Sequence, residues 1–181
     1  CGQIGSRHLQ GLSKVKNFMN ITVLDPNIES LEIARKRFNE MPINNKIHSI
    51  NFISNFNKIK SFYDVGIIAT NAEKRREAID RLFSIAKIQN LILEKVVFQS
   101  RVDFEDVLKV IKHKNIKAWV NCPRRTYPFF KFLKKETCSA KKIVIKISGN
   151  NWGMACNTIH YLDLFSFLTN ELSFQINVDN L

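Results

Sequence analysis

Apolar positions along this chain alternate between two periods. Residues 5–18 carry Leu9, Leu12 and Val15/Lys16 at helical spacing, and Ile21-Thr22-Val23-Leu24 is a short apolar, β-rich run. Residues 28–40 return to the helical period through Ile28, Leu31, Ala34/Arg35 and Phe38, and Pro42 ends that segment. Residues 47–53 alternate through Ile47, Ser49, Ile50 and Phe52, which predicts a second strand. A third strand is predicted over Val65-Gly66-Ile67-Ile68-Ala69-Thr70, then a helix over 72–87, a strand at Leu91-Ile92-Leu93, a helix over 103–114 and a strand over 118–121. Strands that are continuous apolar runs, each followed by a helix, predict a parallel sheet covered on both faces.

After Asn121 the pattern changes. An aromatic helix is predicted over 127–135, an alternating strand over 143–149 (Ile143, Ile145, Ile147), a turn at Asn150-Asn151-Trp152-Gly153, an apolar helix over 158–168 and a strand over 172–178. The expected fold class is α/β: a Rossmann-type doubly wound parallel sheet over residues 1–121, followed by the start of an α+β domain over 122–181.

The start of the chain, Cys1-Gly2-Gln3-Ile4-Gly5, reads as the second half of a glycine-rich turn that opens a helix. At Gly2 the backbone can approach a pyrophosphate, and at Gly5 a helix can pack close to a sheet. A helix N-terminus offers N–H groups and partial positive charge to such an anion. The preceding glycine and strand of a dinucleotide turn are not in the sequence, so the sheet is expected to lack its first strand. Asp25 lies about 20 residues on, where a Rossmann fold places the carboxylate that binds the adenosine ribose and disfavours a 2′-phosphate. Asp is also a good helix cap, and the residues alone leave both roles open. Ligands of parallel sheets bind at the carboxyl ends of the strands, where the polar residues are Asp25, Thr70, Asn71, Glu94, Lys95 and Asn121.

Composition narrows this little. The 181 residues are 45% hydrophobic, enough for a core, and no apolar run approaches the ~18 residues of a membrane span. The N-terminus has no secretory pattern, which makes the cytoplasm the default location. Four widely spaced cysteines without a C-x-x-C pair argue against a disulfide framework or a zinc site. The net charge of +12 comes from scattered lysines without a nucleic-acid-binding motif. Neither nucleic acid nor membrane is therefore expected as a partner, and no metal.

Five segments in register resemble the Gfo/Idh/MocA oxidoreductases, the family of glucose–fructose oxidoreductase and inositol dehydrogenase. They are Gly2-Gln3-Ile4-Gly5-Ser6-Arg7-His8, Asp64-Val65-Gly66-Ile67-Ile68-Ala69-Thr70, Leu93-Glu94-Lys95, Asn121-Cys122-Pro123-Arg124-Arg125 and His160-Tyr161-Leu162-Asp163. The resemblance implies hydride transfer between NAD, rather than NADP, and a sugar or nucleotide-sugar hydroxyl. It implies a cofactor held by Gly2, Gln3, Ile4, Asp25, Thr70, Asn71, Glu94 and Lys95. Lys95 would bond the reacting oxygen, His160 would be the general acid/base, and Asp163 would orient it or bind a substrate hydroxyl. Arg124, Asn157 and His160 would contact substrate, and the second domain's sheet would form a homo-oligomer face at full length.

Two residues depart from the family pattern. Val96 replaces the proline that follows the Glu-Lys pair, often across a cis bond, so either Lys95 is aimed differently or a trans bond is used. Cys156 stands where an acidic side chain often assists the histidine, and small apolar packing is its expected role. The sequence reads as a fragment expected to be poorly stable and inactive alone. A non-catalytic NAD-binding sensor or scaffold, and an S-adenosylmethionine-dependent methyltransferase, are the alternative functions.

Overall fold

A computed structural model of the chain describes all residues except Phe174, Ile176 and 178–181. It forms two compact units, Cys1–Val120 and Asn121–Leu181.

The first unit alternates helix and strand throughout: α1 (Gln3–Leu12), β1 (Met19–Leu24), α2 (Ile28–Asn39), β2 (Ile47–Ile53), β3 (Phe62–Ile68), α3 (Ala72–Ile85), β4 (Lys87–Leu93), α4 (Arg101–His113) and β5 (Lys117–Val120). All ladders are parallel, in a two-stranded sheet β1–β2 and a three-stranded sheet β3–β4–β5. The α/β, Rossmann-type fold expected from the sequence is the one observed. Among the described residues β1 pairs with β2 and β3 with β4, but neither pairs with the other, as expected of a sheet without its first strand.

Each sheet has its own core. Leu9 of α1, Ile21 and Val23 of β1, and Leu31 and Ala34 of α2 form one. Ile79 and Leu82 of α3, Ile88, Leu91 and Leu93 of β4, and Val107 and Ile111 of α4 form the other. The helical and strand periods bring these residues together: α3 buries positions 75, 79 and 82, one stripe of a 3.6-residue helix. Coverage on both faces is not seen for β5, whose four residues are all exposed. The order β3–β4–β5 advances stepwise, so right-handed crossovers place α3 and α4 on one face and leave the opposite face without a helix, and β5 is the edge strand.

Several boundaries move. α1 ends at Leu12 rather than 18, because Ser13, Lys14 and Val15 bond back to Gln10, Gly11 and Leu12 in tight i→i+3 turns. β3 and β4 begin earlier than their apolar runs, since Phe62 and Tyr63 pair with Lys87 and Ile88 and a ladder accepts polar residues at its edge. α4 ends where Asn115 takes a left-handed φ of 52° and Ile116 N–H bonds Ile111 O at 2.9 Å, joining Ile116 to the core.

Gly66 of β3 stands opposite Leu91 of β4. A Cβ there would lie 3.3 Å from Ile88 Cγ2 and 3.5 Å from Leu91 Cδ1. Ile88 is itself buried and has little room to give, so Gly66→Ala is expected to lower stability by about 1 kcal/mol, overpacking outweighing the chain entropy that alanine saves. The midpoint of urea denaturation followed by circular dichroism measures this.

The second unit contains a 3₁₀ turn (Pro123–Thr126), α5 (Pro128–Glu136) and α6 (Met154–Thr169). Residues 143–149 form no strand despite their alternation: no described segment offers them a ladder, and Val144 is 76% exposed. Of the strand expected over 172–178, Phe174, Ile176 and Val178 lie outside the described residues; Leu172, Ser173, Gln175 and Asn177 have no regular structure. α6 begins four residues earlier than its apolar run, after left-handed Asn151 and Gly153. No described helix is long and apolar enough to cross a membrane.

Candidate functional site

The first two turns of α1 and the residue Cys1 before them meet three strand ends. At Gly5 a Cβ would lie 3.2 Å from Cys1 Sγ and 3.6 Å from Ala69 Cβ, just past β3. Glycine therefore permits the close helix–sheet approach expected of it. The backbone nitrogen of Cys1 lies beside the Asp25 carboxylate, just past β1. His8 Nε2 is 2.7 Å from Glu94 Oε1, just past β4.

The start of α1 has no capping side chain, because its N-cap is Gly2. A Cβ at Gly2 would meet nothing within 4 Å, so the space in front of this helix end is open. Both features suit a phosphate group, which the first-turn N–H groups and the helix dipole favour. Gln3 and Ile4, also assigned to the cofactor, are exposed on this turn.

Asp25 does not cap α2. Asn27 takes that position and accepts Ser30 N–H at 3.1 Å, while Asp25 Oδ1 accepts Asn27 N–H at 2.8 Å. A helix has one N-cap position, and here Asn holds it. Asn71 is the N-cap residue of α3, yet its side chain makes no cap bond. Thr70 and Asn71 are exposed beyond β3, and Glu94 is buried beyond β4 with only 7% exposure.

The Lys95–Val96 peptide is cis, so the trans alternative opened by Val96 is not adopted. The loop is held by a residue that sequence reading missed. Arg75 of α3 is 2% exposed, and its Nη1 donates to Glu94 O at 2.5 Å, to Val97 O at 2.9 Å and to Val96 O. Nη2 donates to Thr70 O. Burial pulls the guanidinium below its ordinary range, and the Glu94 carboxylate opposes that shift. Each carbonyl left without a donor would cost about 1–3 kcal/mol if buried. The available signal was a charge on the buried stripe of α3, four residues before Ile79. His8 gave no comparable signal, since its partner is 86 residues away.

In the second unit, Arg124 and Arg125 enter the 3₁₀ turn and meet α6. The Arg124 guanidinium lies 3.9 Å over the Tyr161 ring. Arg125 Nε donates to Asp163 Oδ2 at 3.0 Å and its Nη2 to Oδ1, a bidentate pair that raises the Arg125 pKa above its ordinary value. Asp163 is thus engaged by arginine. His160 is half-buried one turn earlier on α6. Asn157 Nδ2 donates to Trp152 O at 2.7 Å, tying the loop to the helix. Cys156 is exposed rather than packed among apolar groups, because α6 presents its first turn to solvent. Among the described residues no three His, Cys, Asp or Glu side chains converge as a metal site.

No family model and no curated protein sequence matches this chain. Solved structures do match it by fold. Scyllo-inositol dehydrogenase from Lactobacillus casei, solved with NAD(H) and scyllo-inositol, aligns with a TM-score of 0.68 and 16% identity over 94% of this chain and 54% of that one. A super-repressor mutant of Gal80p from Saccharomyces cerevisiae aligns at 0.68 and 15% identity, over 92% of this chain and 48% of the other. An NAD-binding protein from Listeria innocua aligns at 0.67 and 21% identity, over 93% and 52%. The chain spans about half the length of each, and these likenesses establish its fold. That fold is the one implied by the resemblance of the five sequence segments.

Proposed function

We propose that this chain belongs to an NAD-dependent oxidoreductase that moves a hydride between a nicotinamide and a sugar-like carbinol. The observation that carries this reading is that the uncapped, open start of α1 lies beside the ends of β1 and β3, with His8 of its second turn meeting the end of β4. That arrangement offers a pyrophosphate N–H donors at Gln3 and Ile4, and a ribose the carboxylate of Asp25. In this reading Thr70 and Asn71 line the rim beyond, and Glu94-Lys95 serves the nicotinamide end of the dinucleotide. NAD, when bound, supplies the hydride acceptor or donor. The Lys95 ammonium stabilises negative charge developing on the reacting oxygen, and the His160 imidazole takes or returns the hydroxyl proton. A sugar or nucleotide sugar offers the vicinal hydroxyls that Arg124 and Asn157 are suited to contact.

Titration calorimetry with NADH and with S-adenosylmethionine, on the protein from its complete reading frame, tests the cofactor. NADH binding at about micromolar Kd with no S-adenosylmethionine heat is expected, since a site near cellular cofactor levels is the usual range. The reverse result overturns the reading.

The internal engagement of Asp163 by Arg125 and of Asn157 by Trp152, with an exposed cysteine at position 156, favours a second reading: an NAD-binding sensor or scaffold without turnover. NADH binding without any carbinol oxidation across a panel of polyols and nucleotide sugars would select it.

A further inference from the structure

We propose that Arg75 is a positioning residue that sets the height and direction of Lys95 at the rim of the sheet. This assignment rests on the oxidoreductase reading for the purpose of the lysine, but its geometry stands apart from it. Arg75 sits on the buried stripe of α3 with Ile79 and Leu82, where an apolar side chain would satisfy the core. Its guanidinium instead spans the Thr70 carbonyl after β3 and three carbonyls after β4, those of Glu94, Val96 and Val97. These flank Lys95 on both sides, so the backbone that carries the lysine is fixed to the neighbouring strand end. Its Nε has no hydrogen-bond partner among the described residues. The fork is thus turned toward the loop at the expense of its own third face. A planar guanidinium with donors on two terminal nitrogens can span both strand ends, whereas a single ammonium cannot. Glu94, which lies between β4 and the lysine, is held separately by His8 from α1. The helix that opens the cofactor turn and the helix that follows β3 therefore grip the same short loop.

The test uses Arg75→Met and Arg75→Lys in the protein from its complete reading frame, with Ile79→Val as a control for lost stability on the same helix stripe. Both Arg75 variants are expected to lower kcat about tenfold or more, as a small misplacement near the chemistry does. Their NADH Kd is expected to stay within about threefold, which separates positioning from binding. Amide hydrogen exchange at Val96–Phe98 is expected to quicken by about tenfold while that of Ile88–Leu93 stays near the wild-type rate, the mark of local rather than global opening. Ile79→Val keeps its kcat. Arg75→Lys keeps the buried charge, so it serves if Arg75→Met does not fold. Exchange that rises equally across β4 and the loop, or an unchanged kcat in both Arg75 variants, overturns the assignment. If the wild-type protein binds no NADH, the proposed function fails, and the contrast in loop exchange alone decides the role of Arg75.

Discussion

Leu91→Ala lowers the stability of the first unit by about 2–5 kcal/mol, the range for truncating a fully buried leucine. Leu91 has no exposed surface and lies in the middle of β4, the central strand of its sheet. α3 and α4 both pack into its core through Ile79, Leu82, Val107 and Ile111. A cavity there is walled by two helices and the sheet, so it collapses poorly. Its other neighbour is Gly66, which has no side chain to move into the space. Gly66 also makes the prediction sharper. A Cβ added at Gly66 would stand 3.5 Å from Leu91 Cδ1, in ordinary van der Waals contact, so the new methyl can occupy part of the space that truncating Leu91 opens. The double variant Gly66→Ala, Leu91→Ala is thus expected to be less unstable than the sum of the singles, by roughly 0.5–1 kcal/mol. Ile88 Cγ2 at 3.3 Å still resists the added methyl and keeps the rescue partial. Urea denaturation of the four proteins measures the cycle; strict additivity would show that Gly66 and Leu91 do not share the packing described.

If the proposed oxidoreductase function holds, Lys95→Ala and His160→Ala are each expected to cut turnover by about 10²–10⁴-fold, the usual contribution of a positioned acid, base or charge. Cofactor affinity is expected to hold in His160→Ala, because none of the assigned cofactor contacts comes from α6. The two side chains come from different units, one from the loop after β4 and one from a helix of the second. Steady-state kinetics, with stopped-flow NADH fluorescence for affinity, checks both variants. Wild-type turnover retained in either would leave that residue structural and strengthen the sensor reading.

The engagement of Asp163 bears on this directly. The sequence spacing places it one turn from His160 on α6, and the resemblance gave it the histidine or a substrate hydroxyl as partner. The structure gives it Arg125, whose fork takes both carboxylate oxygens. The choice among nearby partners depends on which loop folds back onto the helix. No periodicity encodes that, because Arg125 precedes Asp163 by 38 residues. The same limit explains the failed strand at 143–149. Alternation shows that a segment is suited to lie on a sheet, but a ladder also requires a partner strand within hydrogen-bonding distance.

The sequence by itself determined the order of strands and helices in the first unit. Local steric preference and burial period write each element into a run of some ten residues. It also determined the close helix approach at Gly5 and the polar rim of Asp25, Thr70, Asn71, Glu94 and Lys95, because parallel strands end at a common edge. Tertiary structure alone decided that Asn27 rather than Asp25 caps α2, that Glu94 meets His8, and that a buried arginine from α3 grips the loop around Lys95. These contacts join residues from separate elements, and their energies arise only when packing removes the groups from water and leaves each donor one acceptor within reach.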